Sequence, residues 1–362
     1  MASVRHRGAE IRQFILEHVE QHPRDIVALT AQTFEMSRQG VHRHLQRLLH
    51  DKALLVRGST RDRRYTLCPR VEWVHTYILS TIAQEDVVWR SDIRPLLGDL
   101  PQTVIDIWQY GFTEMCNNAI EHSAGHTVLV GVTQTALKTK MSISDDGEGI
   151  FKKLQRALGL EDERHAVLEL AKGKMTTDPA HHTGEGIFFT SRMFDGFHIL
   201  SGNVHFTHMH EAAPHEEAED WITEQQESSK GTIVWMSLNH TSSRTLKEVF
   251  DQFTSEGEYS FTKTVVPVRL AQYGDEKLIS RSQAKRLLAR IDRFKVVLFD
   301  FDGVEMIGQA FADEVFRVFA EAHPHIDLFA VGVNTAVEHM IRRAAGHRAE
   351  AIFGDREETA LC

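Results

Sequence analysis

Glu114 and Asn118 stand four residues apart in the run Phe112-Thr-Glu-Met-Cys-Asn-Asn-Ala-Ile-Glu-His-Ser123. On a helix that spacing puts both on one face. An amide oxygen there can ligand Mg2+, a hard ion that prefers oxygen donors. A carboxylate one turn earlier can orient a water for in-line attack on a γ-phosphate. Asp145 closes the apolar run Lys140-Met-Ser-Ile-Ser144 and opens Asp145-Asp-Gly-Glu-Gly-Ile150. A carboxylate at a strand end can accept the exocyclic amine of adenine, where guanine offers a carbonyl. Gly147 and Gly149 would let the backbone approach the ring closely. Thr183-Gly-Glu-Gly-Ile187 precedes a helical run, Phe188–Met193. The amides of Thr183, Gly184 and Gly186 at that helix start form an anion site for phosphates. Thr232, in Lys230-Gly-Thr-Ile-Val234, completes the adenine wall. Segment 151–182 reads as a mobile lid, and its Lys174 as a phosphate-seeking lysine. The four motifs together describe a pocket for ATP with Mg2+. A Gly-x-x-x-x-Gly-Lys-Ser/Thr loop is absent, which excludes a P-loop enzyme.

These side chains need a helix over 105–122, strands at Thr127–Val132 and 140–144, and a block of about 101–240 to hold them. Two further blocks flank it. Residues 5–20 have a helical apolar rhythm (Ile11, Phe14, Ile15, Val19), and Asp25–Phe34 reads as a second helix. Ser37 is a good N-cap for a third helix, Arg38–Leu49. Leu54–Arg57 and Tyr65–Leu67 flank a basic tip as a hairpin. Helix, helix, turn, helix, hairpin is the order of a winged helix-turn-helix over 1–70. Its third helix would lie in a major groove with Ser37, Arg38, Gln39, His42 and Arg43 toward base edges. Arg61, Arg63 and Arg64 in the hairpin would reach phosphates of double-stranded DNA. Residues 71–100 read as a connector with a helical stretch, Val71–Ile82.

After the central block, Lys295–Phe301 and His325–Val333 read as strands, and Gln309–Glu321 and Thr335–Ala345 as helices. This is a small α/β layer over 245–350, followed by a tail, 351–362. The His- and Glu-rich stretch 203–230, with His205, His208, His210, His215, Glu216 and Glu217, allows two readings: a metal site, or a solvated loop or strand pair. Its irregular spacing favours the latter.

Composition narrows the class. The 362 residues have room for two or three domains. No apolar run approaches a membrane span, and Met1-Ala-Ser-Val-Arg-His-Arg7 lacks the apolar core of a signal peptide. Cys68, Cys116 and Cys362 are scattered and read as reduced thiols of a cytoplasmic protein. Residues 1–70 hold 13 Lys/Arg against 7 Asp/Glu, so they carry +6 while the rest carries −16 of the net −10. A basic front on an acidic body suggests that only the front meets a polyanion.

The order and spacing of the four motifs resemble the GHKL superfamily of gyrase, heat-shock chaperone, mismatch-repair and histidine kinase ATPases. The resemblance covers about 101–240. It implies a Bergerat α/β sandwich with a mixed sheet, within an α+β multidomain chain. It puts Glu114 at the general-base position, Asn118 at the magnesium position and Asp145 at the adenine position. Gly147, Gly149, Gly184 and Gly186 match the glycine turns. Histidine kinases usually carry Asn where Glu114 stands and a phosphoacceptor His upstream; His75 lacks those surroundings. The Glu114–His122 run is most similar to the anti-sigma serine kinases. Phe299–Ala312 resembles a STAS-like domain found fused to such ATPases. The acceptor serine of STAS antagonists is replaced by Gly308-Gln-Ala310. The resulting expectation is an ATP-dependent, DNA-binding regulator of transcription, with a STAS-like domain open to a protein partner and a homodimer left open. Its rivals are a serine/threonine kinase acting on a separate STAS protein, a pure nucleotide-binding module, and an ATPase of a DNA-repair or defence system.

Overall fold

The computed structural model describes residues 2–59, 62–82, 84–174, 184–210, 219–254, 261–272 and 277–353. Three helices, Ala2–His18, Ile26–Thr33 and Arg38–His50, lead into an antiparallel hairpin of β1 (Leu54–Arg57) and β2 (Arg64–Leu67). The Ser37 hydroxyl caps the third helix by accepting the Gly40 N–H at 3.1 Å, so the chain turns where the sequence signals it. Ile11, Ile15, Val19, Val41, Leu45 and Leu48 recur at helical spacing and form a core separate from the rest of the molecule.

The second unit is a five-stranded sheet of β3 (Val71–Ile78), β4 (Thr127–Gln134), β5 (Lys138–Asp145), β6 (Gly196–Met209) and β7 (Glu219–Asn239), in the order β3-β4-β5-β7-β6. Here the expected helical stretch Val71–Ile82 is corrected. Val71–Ile78 is an edge strand paired with β4, and the short helical turns after it bury Val88, Trp89, Ile93 and Leu97 in the same core as the sheet. Alternating aromatic and β-branched residues (Trp73, Val74, Thr76, Tyr77) suit a pleated surface better than a helix. Residues 71–100 are therefore part of the nucleotide layer, not a connector.

The expectation of a mixed sheet is also corrected: every pair among the described strands is antiparallel. β4–β5 and β6–β7 are consecutive antiparallel pairs. β5 and β6 run the same way, but β7 is inserted between them, so no parallel pair forms. Helix Gln102–Asn117 packs on one face through Val104, Trp108, Phe112 and Met115, all buried.

The third unit has three parallel strands, β8 (Lys263–Pro267), β9 (Val296–Asp300) and β10 (Asp327–Val331), ordered β10-β9-β8. Helices Arg281–Leu288, Gln309–Asp313 and Thr335–Ala345 accompany them. The anticipated strand–helix–strand–helix order is present. One continuous hydrophobic cluster runs from Trp108 and Phe112 of the nucleotide layer to Phe299 and Phe316 of this unit. The N-terminal unit, by contrast, takes only Leu137, from the β4–β5 turn, into its buried core. The nearby Lys138–Glu20 pair (2.5 Å) is partly exposed, the kind that contributes about 0–1 kcal/mol. Among the described residues no helix is long and apolar enough to cross a membrane.

Candidate nucleotide site

A cavity of about 320 Å3 opens between helix Gln102–Asn117 and the sheet, and Glu114, Asn118, Asp145, Gly149, Lys153 and Thr232 are among its walls. That volume falls within the usual range for a small-molecule site.

Asp145 ends β5 and is buried. Its Oδ1 accepts the N–H groups of Gly147 at 2.9 Å and Thr232 at 3.3 Å. Backbone donors thus occupy one oxygen, and among the described residues Oδ2 takes none. Burial pushes the carboxyl pKa up while these backbone bonds pull it down. The neighbouring Asp146 has another task. Its Oδ1 accepts the N–H groups of His126 (2.6 Å) and Thr127 (2.9 Å), and these bonds lower its pKa to about 2. Asp146 ties the start of β4 to the end of β5, and Asp145 alone of the two faces the cavity.

Glu114 and Asn118 both line the cavity, as their spacing required. The helix widens to π geometry over Asn118–His122, a distortion often found at functional sites. The Asn118 Nδ2 is buried and has no hydrogen-bond partner among the described residues, an arrangement that costs free energy unless a further group completes it. A half-turn of the amide exchanges nitrogen and oxygen, so this end can present an oxygen to a hard cation. The residues present therefore fit Mg2+.

The glycine turns are tightly built. A Cβ on Gly186 would collide with Glu114 Oε2, and one on Gly147 with the Ser123 carbonyl. Gly186 opens helix Gly186–Met193, and Gly149, Gly184 and Gly186 reach the cavity. Gly147 does not: it packs against the backbone at Ser123 and supports Asp145 rather than approaching a ring. The Thr232 hydroxyl accepts the Ile150 N–H at 3.0 Å, bracing the turn from the cavity wall.

Lys174, read from the sequence as a phosphate ligand, points elsewhere. Its Nζ donates to the Arg293 carbonyl at 3.2 Å and lies 5.5 and 5.0 Å from the Phe261 and Phe294 ring centres. Among the described residues the lysine that lines the cavity is Lys153, four residues past Gly149, whose Nζ donates to the His122 carbonyl at 2.7 Å. Its position in the first turn after the glycine motif was the available signal. Thr183 lies outside the described residues.

On the N-terminal unit, Ser37, Arg38, Gln39, His42, Arg43, Arg63 and Arg64 are all exposed; Arg61 lies outside the described residues. Burial and then the positive fields of Arg12, on the first helix, and of Arg43 and Arg47, on the third, lower the His44 pKa. In the His-rich stretch, His205 lies on β6 with His198 and Thr207, and His208 is buried against Arg192. His215, Glu216 and Glu217 lie outside the described residues, and among those described no group of three or more metal-ligating side chains converges.

A strand-end carboxylate, a Glu-x-x-x-Asn helix and two glycine turns surround one cavity on an antiparallel sheet. The comparisons give the class. Residues 88–206 match the histidine kinase-like ATPase domain, and residues 283–337 match a STAS-like domain of unknown function, DUF4325. The chain thus joins a histidine kinase-like ATPase domain to a STAS-like domain. No curated protein matches it.

Proposed function

We propose that this chain is a cytoplasmic ATP-dependent regulator: the central domain binds and hydrolyses Mg-ATP, and the N-terminal unit is a winged helix that binds double-stranded DNA. The observation that carries the reading is the convergence of Glu114, Asn118, Asp145 and Lys153 on one cavity. Mg2+ held at Asn118 would neutralise phosphate charge when bound. Asp145 selects adenine through its Oδ2, Lys153 offsets phosphate charge, and Glu114 orients the attacking water and takes its proton.

Nucleotide binding is tested at Asp145. In Asp145→Asn the two backbone N–H groups hold the amide oxygen, so the NH2 must face the base, donor against donor. ATP affinity is expected to fall roughly tenfold or more, about 1.4 kcal/mol per tenfold, while affinity for a 6-oxopurine triphosphate rises relative to it. Equal binding of labelled ATP by wild type and variant would remove the adenine assignment.

DNA binding rests on the exposed basic helix and hairpin. Deletion of residues 1–70 is expected to abolish retention on duplex DNA, and full-length binding should weaken steeply with salt. Retention by the truncated chain would refute the role. A kinase reading requires a hydroxyl acceptor. In this chain's STAS-like unit the corresponding helix starts at Gly308-Gln309-Ala310, with Ile279 packed against Gly308. Transfer within the chain has no acceptor there, so a kinase reading needs a separate STAS protein as its acceptor.

A further inference from the structure

The expected mobile lid is, over its described part, a joint. Its helix Glu163–Lys172 is buried along most of its length. One side reaches the cavity through Leu170. The other meets the STAS-like unit through charges withdrawn from water. Lys172 is 1 % exposed, and its Nζ donates to Glu169 at 2.7 Å and to the Ala289 carbonyl at 2.9 Å. Glu169 also faces Arg290 at 3.5 Å. The Thr264 hydroxyl of β8 donates to the Lys172 carbonyl at 2.6 Å. Just beyond the helix, the Arg293 side chain donates to the Lys174 carbonyl at 3.0 Å, reciprocating the bond from Lys174. An aromatic path runs alongside. Phe188 of the cavity wall packs on Phe261 at 4.8 Å between ring centres, and Phe261 on Phe294 at 5.3 Å.

We propose that the STAS-like unit is the docking partner of the lid helix within the same chain, and that this docking raises the affinity of the cavity for nucleotide. The inference rests on the ATP reading above and adds its regulation. A buried ammonium stays compensated only while its partners remain in place. Glu169 travels with Lys172 on the same helix, so swinging this helix away from the STAS-like unit keeps their pair but breaks the Lys172 bond to the Ala289 carbonyl and the Glu169 contact with Arg290. Those two contacts last only while the two move as one body or the lid stays seated. Packed joints of this kind switch between discrete arrangements rather than deforming continuously. Docking holds Leu170 and Phe188 in the cavity wall, so it prepays part of the ordering that binding requires. By linkage, nucleotide must in turn stabilise the docked STAS-like unit.

The test uses the full chain with Arg290→Ala/Arg293→Ala, and Arg293→Ala alone as the milder variant, since Arg293 is exposed. Neither residue lines the cavity. Labelled ATP with Mg2+ is titrated, and amide exchange over 281–293 is followed with and without ATP. The double variant is expected to bind ATP about tenfold more weakly, near the low end of measured couplings. The wild type should show ATP-dependent slowing of exchange over 281–293, and the double variant should lose it. Unchanged or increased affinity in both variants, with ATP protection intact, overturns the coupling and leaves the ATP reading standing. A wild-type chain that binds no ATP overturns both.

Discussion

Glu114→Ala is expected to keep Mg-ATP binding close to that of the wild type and to slow hydrolysis by about 10²–10⁴-fold, the usual worth of a positioned general base. The reasoning is geometric. Glu114 lies one turn before Asn118, lines the cavity, and has the Gly186 backbone pressed against its carboxyl group. Asn118, the residue that would hold a metal, is one helical turn from this carboxylate. The pKa of the half-buried Tyr110 phenol is raised first by burial and then by the nearby charges of Glu114 and Glu185. On the proposed reading binding rests on other groups, Asp145 and Lys153, and should survive. The measurement is steady-state phosphate release beside an ATP titration for wild type and variant. Undiminished turnover would remove Glu114 from the chemistry, and lost binding with unaltered turnover per bound ATP would make it a ligand instead. Phosphate appearing on an added STAS-like protein rather than in solution would move the reading to the kinase.

Lys172→Met should destabilise the protein by about 3 kcal/mol, the lower end of the 3–5 kcal/mol seen when one partner of a buried ion pair is removed. The lower end applies because Arg290 still faces Glu169 at 3.5 Å. Adding Glu169→Gln to Lys172→Met should recover a large part of the loss, since a neutral pair replaces an orphaned charge; the pairwise coupling is the quantity to extract. Urea unfolding of Lys172→Met, Glu169→Gln, the double variant and the wild type supplies it. If Lys172→Met unfolds at the wild-type urea concentration, the ammonium is not compensated in the way its surroundings indicate. The contrast with the N-terminal unit is instructive. That unit is joined to the nucleotide layer by Leu137 and a partly exposed ion pair, whereas the STAS-like unit shares a core and buried charges with the lid. Free energy concentrated at one joint and sparse at the other makes the N-terminal unit the readier to move.

Much of the site was legible from residue order. Glu114 and Asn118 share a face because 3.6 residues per turn brings i and i+4 together, and that holds in whatever tertiary setting the helix finds itself. Ser37, the Lys295–Phe301 run and the helix from Gln309 were equally local: a cap, a β-branched apolar run and an amphipathic period each carry their own signal. Val71–Ile78 was misread because its apolar spacing fits two periods, and only pairing with β4 decides between them.

What the chain's order of residues determined by itself was that Glu114, Asn118 and Asp145 can share one cavity, and which elements carry them, since helix faces and strand ends follow from short-range geometry. Tertiary structure alone decided which lysine faces the cavity, Lys153 rather than Lys174, and turned the supposed lid into a joint with the STAS-like unit. It also inserted β7 between β5 and β6 and so made the sheet antiparallel throughout its described pairs. The physical reason is common to all three. The Lys174 side chain meets Arg293, the Glu169–Lys172 pair is enclosed by Ala289 and Arg290, and the strand order depends on an insertion made later in the chain; the first two lie more than a hundred residues off, and no local period encodes such distances.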